Sequence, residues 1–225
     1  GDKIADVAVR RSSNQLWYIK NSSGNDLISG NSDGITRSSF GLQAADIPVP
    51  ADYDGDGITD LAVRRPSTQF WYIRNSSGTD PLTGNADGIT RIKFGLQEAD
   101  IPVPADYDGD GKTDIAVRRA SNQFWYIKNS SGVDPIDGNS DGISRVRFGL
   151  QEADIPVPAD FDGDGKADIA VRRASNQFWY VKNSSGIDPM DNNSDGISRV
   201  NFGLQEADIP IAADYDGDGK ADIAV

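Results

Sequence analysis

The strongest restriction on the fold of this 225-residue chain is an acidic motif, D-x-D-G-D-G-x-x-D, which occurs four times at a spacing of 54 residues. Each copy places Asp at positions 1, 3, 5 and 9 of a nine-residue loop and Gly at positions 4 and 6. Two carboxylates about 4 Å apart repel by roughly 4 kcal/mol at an effective dielectric constant of about 20. A short loop that folds four carboxylates together therefore requires a cation at its centre.

Calcium is the cation that this pattern predicts. Oxygen ligands at alternate positions, with Gly at position 6 for the sharp turn, suit a hard ion with an adaptable coordination shell. The expected ligands are the four Asp side chains and the backbone carbonyl of position 7, with water completing the shell, so each complete loop would hold about one ion. The predicted ligand residues are Asp52, Asp54, Asp56, Ile58, Asp60, Asp106, Asp108, Asp110, Lys112, Asp114, Asp160, Asp162, Asp164, Lys166, Asp168, Asp214, Asp216, Asp218, Lys220 and Asp222. The alternative is an Asp/Gly-rich turn that binds no ion, but all four copies keep all four carboxylates, which favours calcium.

The motif shares only its first half with the calcium loop of the EF-hand. An EF-hand loop closes with a bidentate Glu at position 12 and continues into a helix. In the second copy Asp114 closes the loop at position 9, and the run Ile115-Ala116-Val117-Arg118-Arg119 follows. This run is rich in β-branched residues, and its alternation predicts a strand.

The repeats predict an all-β fold. In the third repeat, strands are expected at 114–119, 123–128 and 144–148, with a long loop at 133–142 before the last of them. The apolar residues of 123–128 lie on both faces, as in a central strand that is covered on each side. The segment 155–158 contains two prolines, which fit only the edge of a sheet. No stretch reads as a long amphipathic helix.

Four repeats account for nearly the whole chain. They span 10–63, 64–117, 118–171 and 172–225, and residues 1–9 are a partial remnant that matches 217–225. Because the same strand stands at both ends, we expect a segment of a larger propeller or of an open repeat array, which could continue as a fibre. The remnant keeps only Asp2 and Asp6 of the acidic motif, so it is expected to bind no ion alone.

The run from Phe148-Gly149-Leu150 through the third acidic motif to Asp168-Ile169-Ala170-Val171 resembles the FG-GAP (VCBS-type) repeat. That family includes the calcium-loop blades of integrin α-subunit β-propellers and repeats of many bacterial surface proteins. The resemblance covers the whole chain, although Val-Pro-Ala-Asp replaces the second half of the name-giving motif in three repeats. It implies propeller blades of about four strands, with calcium in a hairpin loop of each blade. The Phe-Gly pairs are Phe40-Gly41, Phe94-Gly95, Phe148-Gly149 and Phe202-Gly203.

Charge and composition narrow the partners. The chain carries 35 acidic and 22 basic residues, and four divalent ions would add eight positive charges and reduce the formal net charge from −13 to −5. No basic cluster exceeds Arg-Arg, which disfavours nucleic acid and anionic membranes, and no apolar run is long enough to span a membrane. Calcium loops of this kind suit millimolar concentrations, so an extracellular or cell-surface location is expected.

Asn-Ser-Ser recurs once per repeat, and each occurrence is an acceptor sequon for N-glycosylation. The alternative is a Gly-containing turn after the second strand, which explains the same residues. The candidate acceptors are Asn21, Asn75, Asn129 and Asn183.

A second acidic segment, 137–142, resembles the first half of another calcium loop, and Asp191, Asn193 and Asp195 match it in the last repeat. Ser29 and Thr83 stand at its first position in the earlier repeats, so Asx-turn chemistry is favoured over an accessory ion.

Two other residue types recur in every repeat. The recurring Trp before Tyr predicts blade packing rather than sugar stacking. One Arg of each Arg-Arg pair is expected to bond to the carboxylates or carbonyls of the preceding acidic motif.

The sequence favours a non-enzymatic protein, because it has neither His nor Cys and assigns its distinctive carboxylates to ions. The leading hypothesis is a calcium-binding extracellular repeat protein that acts as structural scaffold, adhesin segment or fibre subunit, with calcium making the loops between strands rigid. The alternative is a carbohydrate- or protein-binding β-propeller of lectin or integrin type, with glycans or surface proteins as partners. An enzyme-appended domain is a third hypothesis. The near-identity of the repeats favours a structural array.

Overall fold

A computed structural model describes residues 6–26, 32–136, 138–190, 194–203 and 205–225. This part of the chain contains fifteen β-strands and no helix. The strands are β1 (Val7–Arg11), β2 (Leu16–Lys20), β3 (Ile35–Ser39), β4 (Ile47–Pro48), β5 (Leu61–Arg65), β6 (Phe70–Arg74), β7 (Ile89–Lys93), β8 (Ile101–Pro102), β9 (Ile115–Arg119), β10 (Phe124–Lys128), β11 (Ile143–Arg147), β12 (Ile155–Pro156), β13 (Ile169–Arg173), β14 (Phe178–Lys182) and β15 (Ile197–Asn201).

The chain divides into two compact units, Gly1–Glu98 and Ala99–Val225. The first unit holds a three-stranded sheet, β1-β2-β3, and a four-stranded sheet, β4-β5-β6-β7. The second unit holds two four-stranded sheets, β8 to β11 and β12 to β15. All neighbouring strands are antiparallel and consecutive in sequence. The predicted all-β class with tandem four-stranded blades is confirmed.

Each four-stranded sheet combines strands from both sides of an acidic motif. The sheets extend over residues 47–93, 101–147 and 155–201. The repeat boundaries at 63/64, 117/118 and 171/172 therefore fall inside β5, β9 and β13. The 54-residue period is a sequence period whose phase differs from that of the sheets.

Proline determines which strand takes the sheet edge. β8 and β12 are two-residue strands that end in Pro102 and Pro156, and each pairs with one neighbour only. The edge position predicted for the proline segment is confirmed, since proline has no N–H to offer to a second neighbour.

The strand that is buried on both faces is β9, not β10. Four of the five β9 residues are buried, whereas β10 alternates, with Trp125 and Ile127 buried and Phe124 and Tyr126 half-buried. β10 is a central strand between β9 and β11, as predicted, with one face buried and the other half-buried. On the half-buried face, the Arg119 guanidinium covers the ring of Tyr126 and lies 4.7 Å from the ring centroid.

The core of the second unit is built around tryptophan. Trp125 and Ile127 join Val103 and, from the next sheet, Val171 in one hydrophobic cluster. Trp125 is fully buried, and its Nε1 donates to the carbonyl of Phe148 at 3.1 Å. The other three tryptophans are buried in the same way, which agrees with blade packing and leaves none on the surface for a sugar ring.

Close packing explains the glycine of the Phe-Gly pair. Gly149 has a φ of +72°, and a Cβ added there would lie 2.8 Å from Val171 Cγ1. Gly41 repeats the arrangement against Val63 in the first unit, at 2.7 Å. Only glycine fits both this conformation and this approach of backbone to core.

The Arg-Arg pairs bind the turns that follow the last strand of a sheet rather than the acidic motif. Arg118 is fully buried and donates to backbone carbonyls in the turn 149–154, the closest being Gln151 at 2.7 Å. Arg119 makes a two-pronged ion pair with Asp100, at 2.8 and 2.9 Å. The prediction that one Arg bonds to the acidic motif is therefore wrong in this repeat, because both side chains reach other segments of the fold.

Candidate metal centres

The four acidic loops are residues 52–60, 106–114, 160–168 and 214–222, here called acidic loops 1 to 4. Loops 1 to 3 lie in the connections β4–β5, β8–β9 and β12–β13, between an edge strand and its neighbour. An isolated β-bridge closes the neck of each of the four loops, as between Ala105 and Asp114 in loop 2. The first and last residues of each loop are thereby held side by side.

Inside each loop the first carboxylates anchor the backbone. In loop 2, Asp106 accepts hydrogen bonds from the N–H groups of Gly109 and Gly111, at 2.6 and 2.9 Å. Asp108 accepts from the N–H of Asp110 at 3.2 Å. The two glycines have φ values of +80° and +84°, a left-handed conformation that explains glycine at positions 4 and 6.

Carboxylates at positions 1, 3 and 9 converge in loops 1, 2 and 3. One oxygen from each lies within 4.8 Å of one oxygen from each of the others. At that separation each pair of charges repels by about 3–4 kcal/mol at an effective dielectric constant of about 20. The converging sets are Asp52, Asp54 and Asp60; Asp106, Asp108 and Asp114; and Asp160, Asp162 and Asp168.

The carboxylate at position 5 and the carbonyl at position 7 stay predicted ligands, and in loops 1 to 3 the position-5 carboxylates accept hydrogen bonds within their own loops. The position-5 residues Asp56, Asp110 and Asp164 lie outside the converging sets of their loops. Their carboxylates accept from the N–H of position 7, at 2.8 Å in loop 1 and 2.9 Å in loops 2 and 3. The residues at position 7, in loop order, are Ile58, Lys112, Lys166 and Lys220.

Acidic loop 4 groups its carboxylates differently. The converging set is Asp214, Asp216 and Asp218, all exposed, so position 5 replaces position 9. Asp222 still accepts from the N–H of Tyr215 at 2.8 Å. The same nine-residue pattern therefore gives two carboxylate arrangements in one chain.

The carboxylate at position 9 is the buried member of each set in loops 1 to 3. Asp114 accepts from the N–H groups of Ser130 and Tyr107, at 2.6 and 2.8 Å. Burial raises the pKa of Asp114 to about 7, although those two hydrogen bonds lower it, and the Asp108 carboxylate adds to the rise. For the same reasons the pKa values of Asp60 and Asp168 are raised to about 6. A cation between the carboxylates would favour their ionised form.

The serines that follow β6, β10 and β14 are site residues that sequence reasoning missed. Ser131 Oγ donates to Asp108 Oδ2 at 2.6 Å, and the N–H of Ser130 donates to Asp114. The pairs Ser76–Ser77 and Ser184–Ser185 make the same two contacts with loops 1 and 3. Their recurrence in every Asn-Ser-Ser was the available signal, but it was interpreted only as a sequon or a turn.

The asparagine of each Asn-Ser-Ser is built into a polar network. Asn129 is 3% exposed, and its Nδ2 donates to Ser144 Oγ at 3.0 Å. Ser144 in turn donates to the buried Asp134 at 2.5 Å. Asn75 and Asn183 are equally buried, whereas Asn21 is half-buried. Glycosylation of these asparagines stays a prediction. In the folded chain the side-chain Nδ2 to which a glycan would be attached already donates a hydrogen bond.

The long loops are the connections β2–β3, β6–β7, β10–β11 and β14–β15, and among the described residues each of them has one buried aspartate. These residues are Asp26, Asp80, Asp134 and Asp188. Asp80 accepts from the hydroxyls of Thr83 and Thr90 and from the N–H groups of residues 82, 83 and 85. The hydroxyls and N–H groups of its own repeat therefore surround this carboxylate.

The accessory calcium motif falls partly outside the described residues. Asp137, Asp191, Asn193 and Ser29 lie there. Within the described residues, Asp141 and Asp195 each cap the N–H two residues on and pair with Arg145 and Arg199. This is the Asx-turn chemistry that the sequence favours.

The donor chemistry of the acidic loops fits calcium. All converging side-chain atoms are carboxylate oxygens, and the sequence contains no Cys or His to attract a softer metal. Three carboxylates on a glycine-containing loop also suit calcium better than magnesium, which requires a stricter octahedral shell and keeps more of its water.

Comparison with protein families identifies the repeats. Residues 52–117, 106–171 and 160–225 each match the family model described as FG-GAP-like repeat. The chain belongs to the FG-GAP-like repeat family. Each matched segment begins at the first Asp of one acidic loop; the first two end in the strand that follows the next acidic loop, and the third ends at Val225. No curated protein and no solved structure matched the chain.

Membership of the FG-GAP-like repeat family, together with the blade-type sheets, makes this a ligand-binding or structural repeat protein. No helix in the described residues combines the length and apolar character needed to cross a membrane.

Proposed function

We propose that this chain is a non-enzymatic, calcium-stabilised repeat segment of an extracellular or cell-surface protein. It would act as structural scaffold, adhesin segment or fibre subunit. The observation that carries this proposal is the convergence of three carboxylates at identical positions in acidic loops 1, 2 and 3. Each convergence sits in a connection between an edge strand and a buried strand, where an ion can brace the sheet.

In loop 2, the residues that would hold the ion are Asp106, Asp108 and Asp114. A bound calcium would supply the positive charge that offsets their mutual repulsion. Asp106 begins the loop and Asp114 begins the approach to β9, so an ion shared by both fixes the neck of the connection. The Ala105–Asp114 bridge already holds the same neck by backbone hydrogen bonds. Calcium would therefore rigidify a turn that the backbone already forms.

The equivalence of the loops supports a structural rather than a catalytic role. A catalytic centre requires groups with distinct tasks, whereas here one carboxylate arrangement is built three times. The neutral side-chain bases and nucleophiles most used by enzymes, His and Cys, are lacking in the sequence. The surface location is proposed because open loops of this kind suit calcium at about 10⁻⁴–10⁻³ M, as found outside cells.

Calorimetric titration of the chelator-stripped chain tests the proposal. We expect about four calcium ions per chain and a rise of the thermal unfolding midpoint on saturation. Magnesium and a potassium salt at matched ionic strength are the controls, because general screening also stabilises a chain of formal charge −13. Equal midpoints in calcium and in the controls would refute the calcium role. Negative-stain images with and without chelator would show whether filaments form.

A further inference from the structure

The acidic loops that share one carboxylate arrangement also share a contact from another part of the sheet. That contact comes from the Ser-Ser turn, defined here as Ser76–Ser77, Ser130–Ser131 and Ser184–Ser185. The turns follow β6, β10 and β14. Each lies 16 to 23 residues after the carboxylates that it contacts. It is therefore a tertiary contact and not part of the loop's own turn.

The second serine of the turn holds the carboxylate at position 3. Ser131 Oγ donates to Asp108 Oδ2 at 2.6 Å, and the Ser131 N–H adds a longer contact at 3.3 Å. Ser77 and Ser185 hold Asp54 and Asp162 in the same way, at 2.6 and 2.5 Å. Hydrogen bonds from a hydroxyl to an ionised carboxylate are short and strong.

The first serine of the turn holds the carboxylate at position 9 through its backbone. The N–H of Ser130 lies 2.6 Å from Asp114 Oδ1, while Asp114 Oδ2 accepts from Tyr107 within the loop. Both oxygens of the buried carboxylate are thereby fixed in direction. An ionised carboxylate offers about four lone-pair sites, so these bonds leave acceptor capacity for a cation.

We propose that the Ser-Ser turn is the second half of each metal centre. Ser77, Ser131 and Ser185 are positioning residues that direct the position-3 carboxylate into the site, and the neighbouring serine N–H directs the position-9 carboxylate. This inference rests on the calcium binding proposed above.

Loss of a group that orients a metal ligand typically weakens metal binding by about 10- to 100-fold. We therefore expect removal of the Ser77, Ser131 and Ser185 hydroxyls to weaken calcium binding at loops 1 to 3 by about tenfold, which corresponds to about 1.4 kcal/mol per site.

The test is a triple variant, Ser77→Ala, Ser131→Ala and Ser185→Ala, titrated with calcium by calorimetry. We expect the sites of loops 1 to 3 to weaken about tenfold. The matched control is Ser67→Ala, Ser121→Ala and Ser175→Ala. It removes three exposed serines from the turns that precede β6, β10 and β14. The corresponding threonine variant at 77, 131 and 185 keeps the hydroxyl and should restore tight binding.

The outcomes separate this inference from the proposed function. A wild-type chain that binds no calcium refutes both. A wild-type chain that binds four ions, with unchanged affinities in the alanine triple variant, refutes the role of the turn and leaves calcium binding intact. Because the three serines are exposed, thermal unfolding in chelator should be the same for all variants. If the triple variant misfolds, Ser131→Ala alone must weaken one site of four.

Discussion

Acidic loop 2 and the long loop at 129–142 offer two buried aspartates with opposite surroundings. Asp114 shares its site with two further carboxylates, and burial raises its pKa to about 7. Asp134 accepts instead from the Ser144 hydroxyl and from the N–H groups of Ile136 and Asn139. One aspartate is surrounded by like charge, and the other by hydrogen-bond donors.

The corresponding aspartate of the preceding repeat shows how far donors alone can stabilise a buried carboxylate. Although burial raises it, hydrogen bonds from Thr83 and Thr90 hold the pKa of Asp80 well below its usual range. Such a carboxylate remains ionised without a metal. Both loops are rich in Asp and Gly, so composition does not separate them. The direction of the carboxylates does, and it predicts that only the acidic loops respond to calcium.

Removal of calcium should produce the largest effect. At a calcium concentration of 100 times Kd, each occupied site stabilises the fold by about 2.7 kcal/mol, so four independent sites contribute about 11 kcal/mol. Chelation should lower the thermal midpoint, and hydrogen exchange should rise in peptides that contain the acidic loops. Peptides from 79–88 and 133–142, which contain the long loops without the Ser-Ser turns, should change less. Uniform exchange in both sets would remove the distinction between the loops.

Substitution of the buried long-loop aspartate should have the next largest effect. Asp134→Ala leaves the Ser144 hydroxyl and two backbone N–H groups without this acceptor, which should cost about 2–4 kcal/mol of unfolding free energy. Urea unfolding in calcium and in chelator should give the same loss, because no ion is involved. A loss that disappears on chelation would instead place an ion in the long loop.

Sequence reasoning reached those parts of the molecule that depend on local pattern. The strand after Asp114, the edge position of Pro102 and the turn conformation at Gly111 each follow from a few neighbouring residues. The contact between Ser131 and Asp108 spans 23 residues and two connections, so no local pattern reveals it. Equal spacing in the sequence also predicts four carboxylate ligands in each loop, whereas the folded loops bring three of them within 4.8 Å of one another.

The burial of Asp134 was hidden for a related reason. Its donors come from its own loop and from Ser144 in β11, and only the folded hairpin brings them to one carboxylate. The adjacent segment 137–142 attracted attention instead because its letters imitate an acidic loop. Direction of side chains, rather than their identity, separates a metal site from a self-satisfied turn.

The effect of Asp108→Asn on the free energy of unfolding should have opposite signs in calcium and in chelator. In calcium the variant loses a charged ligand of loop 2, which should cost about 1–3 kcal/mol of unfolding free energy. In chelator the same substitution removes one of three converging like charges, so stability should be unchanged or up to about 1 kcal/mol higher. Thermal unfolding at matched ionic strength measures both. A loss of equal size in both conditions would show that Asp108 acts only through its hydrogen bonds.

Asp141→Asn should produce the smallest effect and serves as the matched control for Asp108→Asn. Asp141 is an exposed aspartate of the long loop that pairs with Arg145 at 2.6 Å and caps the N–H of Ile143 at 3.0 Å. Exposed ion pairs contribute little to stability, and asparagine retains a side-chain oxygen for the cap. The thermal midpoint and all calcium affinities should therefore equal those of the wild type. Weaker calcium binding in Asp141→Asn would mean that overall negative charge, rather than the convergence of three carboxylates, attracts the ion, because both substitutions remove one charge from connections of the same sheet, β8 to β11.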